Sequence, residues 1–207
     1  MTPERKGMTL LPNDLKCLEV KQFVRQSTTH ESVSSLTRHL TDSSVTPENH
    51  MTVDIARADS QDAEAIATMV GELLHDIMAA VNDKVFGFDH TKTVDRARSW
   101  MTQGRYTVLL ARLGVNPIGF LALSQSYALY IEGAYGTIPE FFVRSPYRSQ
   151  GIGSALLAEA KMIGQQQGWK RLEVTTPPLP QFDRTLRFYQ RNGFTTSAGR
   201  KLKLELR

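Results

Sequence analysis

The pattern of apolar and polar positions divides the chain near residue 50. Residues 27–50 are rich in Ser, Thr and His and poor in large apolar side chains, a composition that rarely supports a core. Upstream, one short amphipathic helix beginning near Asn13 or Asp14 accounts for the apolar spacing of Leu15, Leu18, Phe23 and Val24. We therefore expect residues 1–50 to form a disordered or loosely helical extension and residues 51–207 to form the folded domain.

After residue 51 the pattern changes regularly between a period of two and a period near 3.6, which predicts strands and helices in turn. Strands are predicted at 52–58, 106–113, 118–126, 137–143 and 172–176, with a final pair from Phe194 onward and over 202–206. Helices are predicted at 60–80, 93–101, 153–167 and 183–191. This order indicates an α/β fold in which a mixed central sheet is flanked by helices.

The helical spacing also predicts which side chains face the core. Ser60 is expected to cap the first helix. Trp100 is expected to point inward from the second helix together with Val94 and Ala97. In the third helix the inward face is predicted to consist of Ala155, Leu156, Ala160 and Ile163.

Composition excludes several classes of protein. The 207 residues carry a net charge of +4 and a single cysteine, so neither an intrachain disulfide nor a thiolate metal site can form. No dense Lys/Arg run suggests nucleic acid, no apolar run is long enough to span a membrane, and no secretory signal is visible. His75 and His90 lie far apart in the sequence and do not form a metal-binding pair. We therefore expect a cytoplasmic protein with no metal, nucleic-acid or membrane partner.

The segment from Arg148 to Gly153 leads from a predicted strand into a predicted helix. Such a turn directs unpaired backbone N–H groups and the positive end of a helix dipole toward one point, where a phosphate can bind. A third glycine at position 156, required by dinucleotide-binding folds, is replaced by Leu156. The Gly-Lys-Ser/Thr run of a P-loop is absent from the sequence. On its own the turn is equally consistent with a tight turn needed only for packing.

Two motifs together resemble the GCN5-related N-acetyltransferase (GNAT) family. The first is EFFVRSPYRSQGIGSALLAEA, in which Arg148, Gly151 and Gly153 match the family pattern. The second is DRTLRFYQRNGF, in which the Phe188–Tyr189 pair precedes Gly193–Phe194 at the family's spacing. Asp183 and Leu186 stand where the family often has Asn and Ala. The resemblance covers residues 52–206 and implies an acetyl-CoA-dependent transfer of an acetyl group directly to an amine, without a covalent enzyme intermediate.

The resemblance also implies how the donor is held. The main chain of Phe142 and Val143 would contact the pantetheine arm of acetyl-CoA, and Asp183 would contribute a contact from the side. The pyrophosphate would lie against the glycine turn and the start of the following helix, formed by Arg148, Ser149, Gln150, Gly151, Ile152, Gly153 and Ser154.

Two catalytic residues are predicted. By resemblance Tyr189 would protonate the departing thiolate, unless it only packs the last helix against CoA. Glu140 is the one charged residue in the segment TIPEFFV, where Glu140 and Phe142 should share one face of a strand and Phe141 and Val143 the other. Apolar surroundings would raise its pKa and suit a general base. A structural glutamate paired with an arginine is the alternative.

The acceptor pocket is expected to include the loop 82–90, the strand end 127–135 and the segment 176–182, in which Pro177, Pro178 and Pro180 stiffen one wall. The acidic and aromatic residues there are Asp83, Asp89, His90, Tyr127, Tyr130, Glu132, Tyr135 and Phe182. Three functions remain open: a small-molecule amine acetyltransferase, a protein or peptide N-acetyltransferase, and a non-catalytic acyl-CoA-binding module. The expected partner is a small-molecule amine, with a homodimer left open.

Overall fold

The computed structural model describes residues 52–197, 199, 201–204 and 206. The helix predicted near residues 13–24 and the single Cys17 lie outside these residues. The strands are β1 (Val53–Arg57), β2 (Thr107–Leu113), β3 (Asn116–Ala128), β4 (Gly133–Ile138), β5 (Phe141–Val143) and β6 (Leu172–Val174). The helices are α1 (Ala63–Val81), α2 (His90–Thr102), α3 (Ile152–Gln166) and α4 (Asp183–Arg191).

The strands form one mixed sheet with the order β1-β2-β3-β4-β6, and β5 pairs with β3. Neighbours are antiparallel except β4 and β6, which run parallel and are joined by a crossover through α3. The predicted mixed α/β sheet is therefore confirmed.

Each face of the sheet carries its own core because side chains alternate along the strands. Leu109 and Ala111 of β2 pack with α3 and with Tyr189 of α4. Val108 and Leu110 point the other way and pack with α1. The helices α1 and α2 therefore cover one face of the sheet, and α3 and α4 cover the opposite face.

Several details of the helices differ from the predictions. Asp59, not Ser60, caps the first turn, where its carboxylate accepts a hydrogen bond from the Gln61 backbone. Trp100 is 41% exposed and packs against Tyr106 with the ring planes tilted by 60°, instead of pointing into the core. In α3, Ala155 is exposed while Leu157 is fully buried. Helical periodicity locates a face, but the width of that face depends on what packs against it.

Two predicted strand arrangements are wrong. The segment 137–143 is not one strand, because Pro139 and Glu140 separate β4 from β5. The final strand pair is absent from the described residues after Phe194, and Leu202, Leu204 and Leu206 are at least 85% exposed there. Alternation alone favours strands, but a strand also needs a neighbour that supplies its hydrogen bonds.

Among the described helices none is long and apolar enough to cross a membrane.

Candidate functional site

The site is built around the interruption between β4 and β5. Leu121 of β3 lies opposite Phe141, whereas Ser124 lies opposite Thr137. Between these two pairs β3 advances by three residues, whereas the segment from β4 to β5 advances by four. The extra residue in that segment is a β-bulge. Beyond the bulge, β5 pairs with β3 but not with β6. The last residue that pairs with β6 is Ile138 of β4. A gap therefore opens between β5 and the end of β6.

The bulge determines which backbone groups face this gap. The Ala122 N–H donates to the Glu140 carbonyl at 2.9 Å, and the Arg144 N–H donates to the Ile118 carbonyl at 2.9 Å. In an antiparallel pair every second residue bonds to the neighbouring strand, so the main chain of Phe142 also faces β3. The main-chain groups of Phe141 and Val143 therefore face the gap, whereas those of Phe142 face β3. The contact of Phe142 with CoA stays a prediction.

The glycine turn leads directly into α3. Gly151 has a φ of 84°, a left-handed conformation that glycine adopts without strain. Ser149 also has a positive φ, of 65°. No side chain caps α3, and the N–H groups of its first three residues, 152–154, lack intrahelical acceptors. The turn thus offers backbone donors and a helix dipole to an anion.

Gly153, which lines the cleft, also packs closely against α4. Its φ is not positive, and a Cβ placed there would lie 3.2 Å from Cζ of Phe188. A glycine at this position lets the Phe188 ring of α4 approach the backbone of α3. The absence of a side chain at Gly153 therefore determines how closely α3 and α4 approach each other beside the site.

The guanidinium of Arg148 is bound within the protein. Its Nη2 donates to Oδ2 of Asp76 at 2.6 Å, its Nε donates to the Val143 carbonyl at 2.7 Å, and it lies 5.2 Å from the centre of the Phe142 ring. Arg148 thereby links α1 to the end of β5. The contact of this side chain with an anion stays a prediction.

A second arginine reaches the glycine turn from α4. Nη2 of Arg184 donates to Oγ of Ser149 at 2.6 Å. Sequence reasoning did not single out Arg184. It selected Asp183, the preceding residue, for a contact with CoA, and that contact stays a prediction. Asp183 is exposed and lies 4.0 Å from Arg187, on the side of α4 away from the cleft-lining residues. The sequence feature that could have drawn attention to Arg184 is its position at the start of the second motif.

These elements enclose a cleft of about 620 Å³. Its lining includes residues from α1, β5, the glycine turn, the end of β6 and α4, among them Leu73, Phe141, Val143, Arg148, Ser149, Gly151, Gly153, Ser154, Thr175, Pro177, Phe182, Arg184 and Tyr189. One cleft therefore brings together the glycine turn, the open edge of β5 and the second sequence motif. Gln150 lies in the turn, where its side chain donates to the Pro146 carbonyl at 2.9 Å.

Tyr189 is buried where α4 meets the sheet. Its ring contacts the rings of Phe141, Phe188 and Phe194, and its side chain lines the cleft. Burial raises the pKa of the Tyr189 phenol above its ordinary value, because the charged form would lose solvation. The phenol therefore keeps its proton over the physiological range, as a proton donor must.

Glu140 occupies the bulge itself. Its side chain lies on the same side as Phe142, and one carboxylate oxygen accepts a hydrogen bond from the Tyr106 hydroxyl. Burial raises its pKa from 4.5 to about 7. Its neighbours Pro139 and Phe141 line the cleft, but Glu140 is not among the lining residues. Sequence reasoning missed Tyr106, which is 34 positions away and comes into contact only through the sheet.

Few of the predicted acceptor residues reach the cleft. Phe182 and Pro177 line it. Tyr130 and Tyr135 instead flank the guanidinium of Arg171, with ring centres 5.4 and 5.6 Å away.

The remaining predicted acceptor residues have local partners or lie in turns. Asp89 caps α2 by accepting a hydrogen bond from the Lys92 backbone at 3.0 Å, which lowers the pKa of its carboxyl group. His90 contacts Thr68 and Glu64. Tyr127 bonds to Gln125, Glu132 adopts a left-handed turn conformation, and Asp83 follows α1.

Solved structures with the same fold are numerous. A transcriptional regulator from Bacillus halodurans C-125 aligns with a TM-score of 0.62 at 23% identity, covering 75% of this chain and 100% of that one. A ribosomal-protein-alanine N-acetyltransferase from Brucella melitensis biovar Abortus 2308 aligns with a TM-score of 0.57 at 19% identity, covering 75% and 99%. An aminoglycoside acetyltransferase, meta-AAC0020, from an uncultured soil metagenomic sample aligns with a TM-score of 0.60 at 18% identity, covering 75% and 97%.

No curated protein matches the sequence. The family model of the acetyltransferase (GNAT) family matches residues 74–194, which include the bulge, the glycine turn and Tyr189 and make up more than half of the chain. The chain therefore belongs to the GNAT family of acetyltransferases.

Proposed function

We propose that the protein is an N-acetyltransferase that uses acetyl-CoA to acetylate the amine of a small molecule. The observation that carries this proposal is the convergence, on one cleft, of an uncapped helix N-terminus, an open strand edge and a buried neutral phenol. The helix N-terminus matches the pyrophosphate of a CoA thioester, the open strand edge matches the amides of its pantetheine arm, and the phenol matches its sulfur. Membership of the GNAT family supports the same reaction.

The residues present fit a CoA thioester. Backbone N–H groups at 152–154 and the guanidinium of Arg184 offer donors for its pyrophosphate. The pantetheine arm carries amides. The main-chain groups of Phe141 and the N–H of Val143 can bond to them as a strand would, while the Val143 carbonyl accepts from Arg148. The thioester supplies the acyl carbon that an amine attacks and a thiolate that leaves.

Tyr189 is assigned the proton transfer to the leaving group. In the reaction a C–N bond forms, the C–S bond breaks and the electron pair goes to sulfur. A neutral phenol at the cleft wall can donate its proton to that sulfur. Since burial raises the pKa of Tyr189, the acid is present at neutral and moderately alkaline pH.

Glu140 is assigned the proton that leaves the attacking amine. With a pKa raised to about 7, its carboxylate is ionised above neutral pH and still basic enough to accept a proton. Because only its neighbours Pro139 and Phe141 line the cleft, the proton is proposed to pass through a water molecule.

A small molecule is proposed as the acceptor because the bulge end of the cleft has a wall on its β6 side. Pro177 and Phe182 belong to the segment after β6 and line the same cleft as Pro139 and Tyr189. A wall at this end of the cleft favours a compact acceptor over an extended polypeptide. Structural neighbours include enzymes whose names specify an aminoglycoside and a ribosomal-protein alanine, so the experiment must include both kinds of acceptor.

The test is thiol release from acetyl-CoA by the full chain, with a panel of polyamines, aminoglycosides, amino acids and short peptides with free N-termini. Amine-dependent release with a small molecule and none with peptides is the expected result. Turnover with peptides alone would replace the small-molecule assignment. Binding of acetyl-CoA without turnover on any amine would favour the non-catalytic module, and absence of binding would refute the proposal.

A further inference from the structure

The charged side chains that line the cleft are mostly cations. Among the described lining residues, Arg148, Arg184 and Arg191 are positive, and Asp76 supplies the only carboxylate. That carboxylate accepts a hydrogen bond from Nη2 of Arg148 at 2.6 Å, so it is already paired. The described lining therefore carries an excess of positive charge and offers no unpaired carboxylate to an incoming cation.

The two arginines of α4 face the neighbouring helix α3 and the glycine turn. Arg184, Phe188 and Arg191 are spaced at i, i+4 and i+7, so they lie on one face of α4. The Phe188 ring lies against Gly153 at the start of α3, and Arg184 donates to Ser149 in the turn. The positive charge on α4 therefore lies on the donor side of the site.

The walls near the bulge are apolar. Leu73 and Ile77 lie one turn apart on the same face of α1, and both line the cleft. Pro139 lines it from the bulge, and Pro177 and Phe182 line it from the segment after β6. An apolar substituent buried against these side chains gains free energy as its surface leaves water. A charged substituent there would lose hydration without gaining a partner.

The acidic residues that the sequence places at the acceptor site do not change this balance. Asp83, Asp89 and Glu132 are absent from the lining of the cleft. An amine with one nitrogen becomes neutral when it gives up its proton, and no positive charge then remains in the cleft. A polyamine or an aminoglycoside keeps further ammonium groups, which arginines repel.

We propose that the acceptor is a primary monoamine with an apolar, aromatic substituent, and that the cleft discriminates against polycationic amines. The substituent lies between α1 and the segment after β6, where Phe182 offers an aromatic ring. The proposal rests on the proposed function, because it takes this cleft as the site of acetyl transfer, and it names the class of amine.

The experiment measures kcat/KM with acetyl-CoA and five amines: 2-phenylethylamine, ethylamine, phenylalanine, spermidine and kanamycin. The proteins are the full chain, Phe182→Ala and the matched control Leu179→Ala, which truncates a side chain that is 51% exposed in the same segment and does not line the cleft. A second pair, Ile77→Asp and Ile77→Asn, differs only in the charge placed on the α1 wall. Thermal unfolding checks that each variant is folded.

The full chain should prefer 2-phenylethylamine to spermidine and to kanamycin by about a hundredfold or more. Phe182→Ala should lower kcat/KM for 2-phenylethylamine by about tenfold or more and leave ethylamine within about twofold, because ethylamine has no ring to contact. Leu179→Ala should match the full chain. Ile77→Asp should exceed Ile77→Asn with spermidine by about three- to tenfold, the effect of one partly exposed charge pair.

Spermidine or kanamycin turned over as well as 2-phenylethylamine would overturn the proposal. Preference for phenylalanine over 2-phenylethylamine would also overturn it, because a cation of the cleft would then bind the acceptor's carboxylate. Equal losses with ethylamine and 2-phenylethylamine in Phe182→Ala would show that the ring does not contact the substituent, with the same consequence. These results leave the acetyltransferase assignment intact. Acetylation of none of the amines would instead count against the proposed function itself.

Discussion

Replacement of Glu140 by glutamine should stabilise the folded protein at neutral and alkaline pH while it lowers activity. The carboxyl group has a folded-state pKa of about 7 against an ordinary value of 4.5. Between these two values the folded state binds more protons than the unfolded state, so stability falls as pH rises through this window. Each unit of pKa corresponds to about 1.4 kcal/mol, so the loss reaches roughly 3 kcal/mol above pH 7. The amide introduced by Glu140→Gln does not ionise, so the variant avoids this loss.

The assay is urea-induced unfolding of the unmodified chain and of Glu140→Gln from pH 4 to pH 9. The difference in unfolding free energy should be small near pH 4, grow between about pH 4.5 and 7 and stay constant above. Asp54→Asn, which removes an exposed carboxylate on β1, serves as the matched control. A difference between Glu140→Gln and the unmodified chain that does not change with pH would refute the reasoning. So would a difference that shrinks as pH rises.

The same variants can be followed by kinetics. If Glu140 is the base, kcat/KM should rise through about pH 7 in the unmodified chain, since the carboxylate must be ionised to accept a proton. Glu140→Gln should lose this limb and fall by roughly a hundredfold on the alkaline plateau. Unchanged kcat/KM in Glu140→Gln would assign Glu140 a structural role alone.

Three further predictions concern neighbouring residues. Tyr189→Phe should lower kcat by about a hundredfold or more with little change in KM, measured by steady-state kinetics; a rise in KM alone would show that the phenol only binds. Tyr106→Phe removes the hydroxyl that donates to the Glu140 carboxylate, so the acidic limb of kcat/KM should move up by about one pH unit, and an unmoved limb would contradict this. Gly136→Ala would place a Cβ 2.3 Å from the Trp169 ring and should cost on the order of 3 kcal/mol in urea-induced unfolding, whereas a loss under about 1 kcal/mol would mean that the ring moves aside.

Local patterns were enough to locate the glycine turn. Gly151 adopts the left-handed conformation that its residue type permits, and α3 begins at the next residue. The strand, turn and helix are contiguous in sequence, so their chemistry can be interpreted without knowing what packs around them. The alternation of Glu140 and Phe142 against Phe141 and Val143 likewise gave the correct faces, because side-chain direction in a strand depends only on position.

Other features depended on contacts between distant segments. Arg148 carries the charge expected at a phosphate site, but Asp76, 72 residues away, binds its guanidinium. Arg184 reaches Ser149 across 35 residues because Phe188 fits against Gly153. A sequence shows which side chains carry charge, but neutralisation depends on which charges the fold brings within hydrogen-bonding distance.

By itself the sequence determined the four helices, most of the strands, the glycine turn and the two motifs that identify the family, because each arises from residues close together in the chain. Only the tertiary structure decided that the segment 137–143 is interrupted by a bulge and that β5 leaves β6. The register of two strands is set by pairing with a third, and alternation within one segment carries no information about it. The cleft exists because of that bulge, so its shape and the identity of the groups that face it were fixed only by the assembled sheet.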